Sequence, residues 1–361
     1  MRWNWEEPDW PDFIYEASRF RESEERFLHG SGLLAGVFLH LDEEDGEKIR
    51  VGLLSDEALE TSRIEGEILD RESLQSSVRH HFGLPTESRR VSPAERGVAA
   101  LMVDVCLNFA DDLTDARLGH WHGVLMQGQT GLREVGRYRS QGDPMRIVSG
   151  PIHAPNVHFE APPATRVPGE MRRFLEWFNG SGRRIPALTR SALAHLHFES
   201  IHPFEDGNGR IGRAIAELSL SQSIGKPVLL ALSQTIRRHQ RVYYEQLASG
   251  SRALDVEEWI AFFSEIVLEA QDRAGRQIEF LLQKARFFDR YRGSLNARQE
   301  KVLLRMFEAG IDGFTGGLSA GNYIRIAKTS SSTATRDLQD LVARGALRKT
   351  GDRKYARYHL T

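Results

Sequence analysis

The sequence lacks cysteine pairs, long apolar runs and a secretory start. Cys106 is the only cysteine in 361 residues, so the chain cannot form an intramolecular disulfide, and we expect a reducing compartment, the cytoplasm. The first eleven residues are acidic and aromatic instead of basic and then apolar, so we expect no secretory leader. No apolar stretch reaches the length of a membrane-spanning helix, and we therefore expect no membrane partner.

The composition is that of a globular chain, with 40% hydrophobic and 27% charged residues, and the length predicts two or three domains. The net charge of -2 is unevenly distributed. Residues 294–361 contain twelve lysines and arginines against six acidic residues, a local charge of +6, which leaves -8 for the remainder. This asymmetry predicts a separate basic domain at the C-terminal end of the chain.

The most informative segment is 202–213, with the sequence His-Pro-Phe-Glu-Asp-Gly-Asn-Gly-Arg-Ile-Gly-Arg. Its proline disfavours helix at the preceding histidine, and Gly207 and Gly209 allow positive φ. The backbone N–H groups of residues 207–210 can therefore converge on one oxyanion. Apolar residues recur at helical spacing over 211–221, so a helix follows, with its positive N-terminal end toward the anion. The segment predicts a polyphosphate site.

Other interpretations of this segment are weaker. Its three glycines fit the dinucleotide-binding fingerprint, but the preceding segment has helical periodicity and no acidic residue follows at the required distance. A Walker A loop needs Lys-Ser or Lys-Thr after its last glycine, and neither is present. A metal site is the third alternative, because His195, Glu199 and His202 are spaced to share a helix face. The proline after His202 breaks that helix, and zinc needs three or four converging ligands.

The same segment matches the signature H-x-F-x-[DE]-G-N-G-R-x-x-R at every fixed position, and so resembles the Fic-domain nucleotidyltransferases. The resemblance implies a mainly α-helical Fic core with a short β-hairpin flap, which transfers AMP from ATP to a hydroxyl of a protein side chain. His202 would be the general base, a role that suits histidine at neutral pH, and Asp206 would hold Mg²⁺. The residues implied to bind the phosphates of ATP are Gly207, Asn208, Gly209, Arg210 and Arg213.

A second motif lies N-terminal to the first. Residues 61–66, Thr-Ser-Arg-Ile-Glu-Gly, match the inhibitory pattern [ST]-x-x-x-E-[GN] of many Fic proteins, at Thr61, Glu65 and Gly66. The resemblance implies that Glu65 pairs with Arg213 and keeps the γ-phosphate from its productive position. Without the family, residues 55–73 are predicted to form one helix, in which Gly66 costs about 1 kcal/mol relative to alanine.

Residues 136–150 resemble the flap of the family. We predict a strand at 136–139, a turn at 140–144 and a second strand at 145–150. The edge of such a hairpin can align an extended target segment by strand addition, although a plain surface hairpin has the same pattern. The predicted target-docking residues are Arg137, Tyr138, Arg139, Met145, Arg146, Ile147 and Val148.

The adenine pocket is less well defined. Between residues 233 and 247 the family often places an Asn-Arg pair before two tyrosines. Gln240 stands here where that asparagine is expected, followed by Arg241, Tyr243 and Tyr244. This departure leaves open whether ATP or another nucleotide is the co-substrate.

The basic segment is predicted to contain three helices, at 297–309, 320–327 and 331–343, and a hairpin of strands 346–350 and 354–360. It resembles a winged helix-turn-helix. If it binds DNA, its recognition helix would present Ser332, Thr333, Thr335 and Arg336. The residues that would meet phosphate are Arg348, Lys349, Arg353 and Lys354. A protein-docking or dimerisation module of the same shape is the alternative.

These features predict three domains: an N-terminal helical region at 1–90, a Fic core at 91–293 and a winged helix at 294–361. Protein AMP transfer is the principal hypothesis. One alternative is removal of AMP at the same site, with Glu65 activating a water. The other is a DNA-binding regulator whose core only senses nucleotide. The protein target, which can be the chain itself, and the choice between monomer and homodimer are left open.

Overall fold

The computed structural model describes residues 2–39, 41, 43–86, 89–141, 145–149, 156–310, 314 and 316–361. These residues are mainly α-helical, which confirms the predicted fold class. The chain divides into two units, Met1–Ala274 and Gly275–Thr361. No helix in the described part of the chain has both the length and the apolar character needed to cross a membrane.

The first unit is built from short and medium-length helices, and its boundary with the second falls inside the last of them. Two strands, β1 Arg146–Ser149 and β2 Asn156–Glu160, lie between the fifth and sixth helices. The helices are α1 Arg21–Leu39, α2 Glu43–Ile64, α3 Arg71–His81, α4 Pro93–Leu107, α5 Asp115–Leu125, α6 Val167–Asn179, α7 Ala187–Ile201, α8 Asn208–Ile224, α9 Leu232–Arg238, α10 Gln240–Gly250 and α11 Glu257–Arg290.

Side-chain caps explain where α3 and α4 begin. The Asp70 carboxylate accepts the backbone N–H of Ser73 at 2.8 Å, which satisfies a donor that has no partner inside the helix. Ser92 and Glu95 form a capping box, with proline at the first helical position of α4. The Glu95 carboxylate also accepts the backbone N–H of Asp70 at 3.0 Å, so one side chain joins the starts of both helices.

Helices α7 and α8 form the centre of the first unit and pack against each other. Every residue of α7 is buried. Ala194, Phe198 and Ile201 belong to one apolar cluster, while Leu193 and Leu196 belong to a second. A helix that is apolar on more than one face is enclosed by its neighbours. The loop between α7 and α8 is therefore held by a rigid element at each end.

The N-terminal tryptophans Trp3, Trp5 and Trp10 are buried. The Trp5 indole donates to the Glu160 carbonyl at 2.7 Å, and the Trp10 indole donates to the Glu170 carboxylate at 2.9 Å. Trp3 packs edge-on against Phe159, with ring centroids 5.5 Å apart. The N-terminal segment therefore packs against β2 and α6.

The hairpin differs from the predicted one. β1 pairs in antiparallel fashion with β2, which follows it in the chain, and Arg146 lies opposite Glu160. The prediction of a first strand at 136–139 is wrong: that segment is irregular and packs against the loop after α7. Part of the predicted turn, 142–144, and residue 150 lie outside the described residues.

The second unit contains the predicted three helices and hairpin, with slightly different bounds. They are α12 Ala297–Phe307, α13 Ala320–Ala327, α14 Ser331–Ala343, β3 Leu347–Thr350 and β4 Arg357–Leu360. The division between the units falls at residue 274, earlier than the predicted 293, because Phe280 and Phe287 of α11, and Tyr291 directly after it, pack with the apolar cluster of this unit. Whether it acts as a DNA-binding winged helix stays a prediction.

Candidate active site

His202 ends α7 in the left-handed conformation, with φ 49° and ψ 62°. Its N–H donates to the Phe198 carbonyl at 2.9 Å and so closes the helix, and the proline that follows cannot continue it. A left-handed conformation costs a residue other than glycine about 1–3 kcal/mol, and its neighbours must hold it. Part of that support comes from Arg139, whose Nε donates to the His202 carbonyl at 2.8 Å.

The loop between the helices is closed by Phe204 and Asn208. The Asn208 Oδ1 accepts the backbone N–H of Phe204 at 2.9 Å, and the Asn208 Nδ2 donates to the Phe204 carbonyl at 2.8 Å. The Phe204 ring is fully buried and stacks on His122, with centroids 4.2 Å apart. Asn208 was expected to hold a phosphate, but its amide oxygen and nitrogen both brace the loop.

The N-terminal end of α8 is the candidate anion site. Gly207 precedes the helix with φ 79°, and a Cβ at this position would lie only 2.7 Å from the Met126 methyl carbon, so the site requires glycine. The Gly207 N–H donates to the Asp206 carboxylate at 2.6 Å. The N–H groups of residues 208–210 occupy the first turn, where a helix leaves its donors without internal partners. The N–H groups that can face an anion are therefore those of residues 208–210, one fewer than the predicted 207–210.

Arg213 is buried on α8 and is fully engaged by the end of α2. Its Nε donates to the Thr61 hydroxyl at 2.8 Å, and its Nη2 donates to the Thr61 carbonyl at 3.0 Å and to the Glu65 carboxylate at 2.7 Å. Burial works against the positive charge, but the Glu65 carboxylate outweighs it and raises the pKa of Arg213 above its ordinary value. The structure therefore brings together the residues that the two motifs implied.

Glu65 reaches α8 by a turn, not by a continuous helix. The prediction of one helix over 55–73 is wrong, since α2 ends at Ile64 and Gly66 has φ 82°, which favours glycine. This turn points the Glu65 carboxylate at the Gly209 Cα, where it fills the space that a Cβ would take. Gly66 is thus needed to end the helix and carries no mid-helix cost.

A second acidic residue, Glu67, was not predicted. The buried Arg210 donates through Nη1 to the Glu67 carboxylate at 2.9 Å, and Gln129 donates to the other oxygen at 3.2 Å. Each arginine of the signature therefore faces one carboxylate from the segment after α2. The signal in the sequence is the run Glu-Gly-Glu at 65–67, in which only the first glutamate belongs to the inhibitory pattern.

Two further carboxyl groups meet between α2 and α8. Glu57 accepts the backbone N–H of Ser233 at 2.8 Å and hydrogen-bonds to Glu217, and both glutamates are buried. Burial raises the pKa of Glu57 to about 7, and burial together with the charge of Glu57 holds the pKa of Glu217 well above its ordinary value. The pair therefore shares a proton at neutral pH. No local pattern signals this pair, because the two residues are 160 positions apart.

The residues predicted for the adenine pocket separate into two groups. Tyr243 is fully buried, and its hydroxyl lies 2.7 Å from the His195 Nε2, so it does not line an open pocket. Tyr244 keeps 44% of its surface exposed, and the Gln240 amide donates to the Ile64 carbonyl at 3.4 Å. Tyr244 and Gln240 are thus the members of the predicted set that lie near the surface beside the end of α2.

The predicted flap residues separate in a similar way. Arg139 is buried and donates to the carbonyls of Pro162 and Ile201 as well as that of His202, and burial lowers its pKa to about 10. Tyr138 donates to the Asp115 carboxylate at 2.7 Å. Arg139 is scaffold for the loop after α7, which corrects its assignment to target docking. Tyr138 is half-buried and packs on Phe204, and its target-docking role stays a prediction.

Three other predicted flap residues lie nearer the surface, and two more have no described side chain. The Arg137 side chain is exposed, and Arg146 pairs with Glu160 across the hairpin at 2.7 Å. Met145 is half-buried against the apolar core. Ile147 and Val148 lie in β1, in the register of the pairing, and their side chains are outside the description. The target-docking role of the hairpin stays a prediction.

Asp206 is the one signature carboxylate that faces solvent. Half of its side chain is exposed, and Oδ1 lies 3.8 Å from the Arg210 Nη2. No cluster of three or more metal-ligating side chains occurs among the residues described, which leaves the alternative metal site at His195, Glu199 and His202 without support. One exposed carboxylate fits Mg²⁺, because that ion is usually held by one or two carboxylates together with substrate phosphates.

Two family models match the chain. Residues 112–220 match the Fic/DOC family, and residues 3–84 match a domain of unknown function, DUF4172. A probable protein adenylyltransferase of Aquifex aeolicus is 37% identical over 65 residues, 18% of this chain and 20% of that protein. The protein adenylyltransferase Fic of Drosophila mojavensis is 29% identical over 121 residues, 31% of this chain and 23% of that protein. The chain spans about a fifth to a quarter of the length of these curated relatives.

Solved structures extend the likeness to the whole chain. A Fic family protein from Desulfovibrio desulfuricans superimposes with a TM-score of 0.55 at 23% identity, over 97% of this chain and 98% of that one. A Fic domain containing signaling protein from Bacteroides thetaiotaomicron gives 0.53 at 17% identity, over 72% of this chain and 96% of that one. At these identities the likeness shows the fold alone. The chain therefore contains a Fic/DOC family domain, at residues 112–220, and has the fold of solved Fic proteins.

Proposed function

We propose that the protein transfers AMP from ATP to a hydroxyl group of a protein side chain, with pyrophosphate as the leaving group. The observation that carries this proposal is the grouping of His202, Asp206 and the N-terminal end of α8, with Arg210 in the first turn of that helix and Arg213 in the second. The relatives named protein adenylyltransferases support it. Their matches cover only part of each protein, so the activity of this chain is inferred from its own site.

The chemistry follows from the loop and the helix. The N–H groups at the start of α8 and the positive end of the helix favour the negative charge of the α-phosphate. His202 takes the proton from the target hydroxyl as its oxygen attacks the α-phosphorus, and the bond to pyrophosphate breaks. Mg²⁺, when held by Asp206 and the phosphates, supplies neutralisation of the charge on the leaving group. Arg210 and Arg213 bind the outer phosphates, a task that suits permanently charged guanidinium groups.

We further propose that Glu65 inhibits the transfer. Its carboxylate holds Arg213 at 2.7 Å and lies against Gly209, so it competes with the γ-phosphate for the same guanidinium. The polar atoms of Arg213 also bond to Thr61, so the arginine is held by the end of α2 as a whole. The Glu65→Gly variant removes the competing charge. We expect faster AMP transfer in that variant, with Arg213 released to bind the nucleotide.

The test uses Mg-ATP labelled separately at the α- and γ-phosphates, with cell extract as the source of targets. Wild type, Glu65→Gly, His202→Ala and the double variant are compared by gel and by intact mass. We expect label from the α-phosphate only, strongest in Glu65→Gly and lost in both His202→Ala proteins. Label from the γ-phosphate, or no α-label in Glu65→Gly, contradicts AMP transfer. Equal label in wild type and Glu65→Gly contradicts only the inhibition.

A further inference from the structure

A buried carboxylate lies directly behind the catalytic histidine. Glu199 occupies the last turn of α7, three residues before His202, and is 6% exposed. Its Oε2 lies 3.5 Å from the His202 Nδ1, too far for a formed hydrogen bond, and that buried nitrogen has no other hydrogen-bond partner among the described residues. Since His202 leaves the helix in the left-handed conformation, its ring turns back toward this turn of α7. The far nitrogen of the ring, Nε2, is left for the reaction.

The surroundings of Glu199 offer it few other partners. Within the described part of the chain, His202 is its one ion-pair partner, and the Glu199 Oε1 accepts no hydrogen bond. An ionised carboxylate in such a place is costly unless N–H groups face it. Burial works against its charge, but His202, His195 and Arg213 together lower the pKa of Glu199 below its ordinary value. The two imidazoles and the Arg213 guanidinium thus favour the charged form of this buried carboxylate.

A second imidazole, His195, is oriented toward the same point. The His195 Nε2 lies 2.7 Å from the buried Tyr243 hydroxyl, which fixes the ring, while the His195 side-chain Nδ1 makes no hydrogen bond of its own. That Nδ1 and the Glu199 Oε1 both lie against the Cα of Gly212. Tyr243 and His195 thus close the side of the cluster that faces away from His202.

Gly212 makes room for this cluster. A Cβ at Gly212 would collide with the Glu199 Oε1 and would lie 3.0 Å from the His195 Nδ1. The position is one of the two unspecified positions between the arginines of the signature, and glycine inside a helix costs about 1 kcal/mol relative to alanine. The chain therefore accepts a weaker helix α8 at the point where the helix faces Glu199.

We propose that Glu199 is a positioning residue, which keeps a proton on the Nδ1 of His202 and stabilises the imidazolium formed during transfer. The Nε2 is then unprotonated and takes the proton from the target hydroxyl, while the Nδ1 proton stays in place and donates to Glu199. This inference rests on the proposed AMP transfer. It adds Glu199 to the residues that the reaction needs, and it gives Gly212 the role of leaving space for Glu199 beside α8.

The kinetic test is made in the Glu65→Gly background. Glu199→Gln keeps the shape of the side chain and removes its charge, and we expect kcat to fall by about 10²- to 10³-fold while the KM for ATP changes little, as for a carboxylate that orients a catalytic histidine. Glu245→Gln, which removes an exposed carboxylate from α10, is the matched control and should retain full kcat. A kcat for Glu199→Gln within about threefold of the parent overturns the proposal.

The second readout needs no activity. The ring ¹⁵N shifts of His202, assigned by their loss in His202→Ala, report which nitrogen carries the proton at a pH where the ring is neutral. We expect Nδ1 protonation in wild type and a mixture of tautomers in Glu199→Gln, because an amide can donate or accept. Protonation at Nε2 in wild type overturns the proposal, even if Glu199→Gln unfolds. The expected tautomer without any α-label in Glu65→Gly contradicts AMP transfer while the Glu199–His202 contact stands.

Discussion

Arg210 and Arg213 each meet a carboxylate from the three residues that follow α2. Glu65 faces Arg213 at 2.7 Å, and Glu67 faces Arg210 at 2.9 Å. The two pairs are not equivalent, because the Glu65 carboxylate also fills the space beside Gly209. Besides its ion pair with Arg210, Glu67 accepts one hydrogen bond from Gln129, and its side chain is 22% exposed. Release of Glu65 therefore leaves one signature arginine still paired.

Glu67→Gln tests whether this second pair restrains the enzyme. In the Glu65→Gly background we expect the rate of AMP transfer to rise by a further three- to tenfold, about 0.6–1.4 kcal/mol, since a partly exposed charged hydrogen bond contributes about that much. Initial rates at subsaturating Mg-ATP measure it. Glu72→Gln is the matched control, because Glu72 lies on the surface of the neighbouring helix α3 and pairs there with the exposed Arg89. A lower rate for Glu67→Gln shows instead that Arg210 needs Glu67 to stay in place.

At the scale of elements, α2 is joined to α8 and α9 by a buried acid pair. Glu57 of α2 hydrogen-bonds to Glu217 of α8 and accepts the N–H of Ser233 at the start of α9. Two other groups face the pair. Arg213 favours ionisation of the two carboxyls. The other group is the Cys106 thiol of α4. Burial raises the pKa of this thiol to about 11, and the charge of Glu217 makes a smaller contribution. The proton that the two carboxyls share thus helps to hold α2 against α8 and α9.

This pair predicts how stability depends on pH. A carboxyl whose pKa is raised by folding stabilises the fold below its unfolded pKa, and the contribution is lost as pH rises through the folded value, here from about 4.5 to about 7. Glu217→Gln removes one charge and leaves an amide that donates to Glu57. We expect its melting temperature, followed by calorimetry from about pH 5 to 9, to exceed that of wild type by about 2–4 °C above pH 7.

The pH profile has a clear control. Glu245→Gln removes an exposed carboxylate, so its melting curve should run parallel to that of wild type at every pH. At about pH 5 Glu217→Gln should match wild type, because the pair is then protonated. A difference between Glu217→Gln and wild type that stays constant across this range of pH refutes the shared proton.

Local signals account for the elements that were predicted correctly. Segment 202–213 was recognised because its proline, glycines and arginines lie within twelve residues. The helices of the second unit were predicted because each has a cap and an apolar face. The prediction of a helix over 55–73 was wrong because these residues have good helical periodicity, whereas α2 ends at Ile64, where Gly66 takes a positive φ and Glu65 contacts α8. Glu67 and the Glu57–Glu217 pair depend on contacts between distant segments, which periodicity does not reveal.

The flap shows the same limit. Gly136 to Arg139 has strand-like residues, but Arg139 is buried against three carbonyls around the catalytic loop, and this tertiary contact overrides local propensity. The partner of β1 is β2, which contains Glu160 opposite Arg146. A hairpin is recognised from sequence by a short turn, and the connection from residue 149 to residue 156 is too long for that signal.

At the scale of the whole molecule, the proposed nucleotide site belongs to the first unit, and the basic segment belongs to the second. Residues 294–361 have a charge of +6 within a chain of -2. In the second unit, Ser332, Thr335 and Arg336 are exposed on α14, and Arg348 and Lys349 are exposed on β3. These are surfaces that a winged helix presents to the major groove and to phosphate. Arg336, Arg348 and Lys349 therefore place positive charge on the elements that DNA recognition would use.

DNA binding is the prediction that follows, and salt dependence measures it. We expect the full-length protein to bind duplex DNA with an affinity, followed by fluorescence anisotropy, that falls as salt rises. The double variant Arg336→Ala/Arg348→Ala should reduce the slope of log K against log salt by about 2, because two phosphates then keep their counterions. Arg305→Ala is the matched control, since Arg305 is exposed on α12 and pairs with Glu308. An unchanged slope in the double variant, or no binding by wild type at low salt, contradicts DNA binding through this unit.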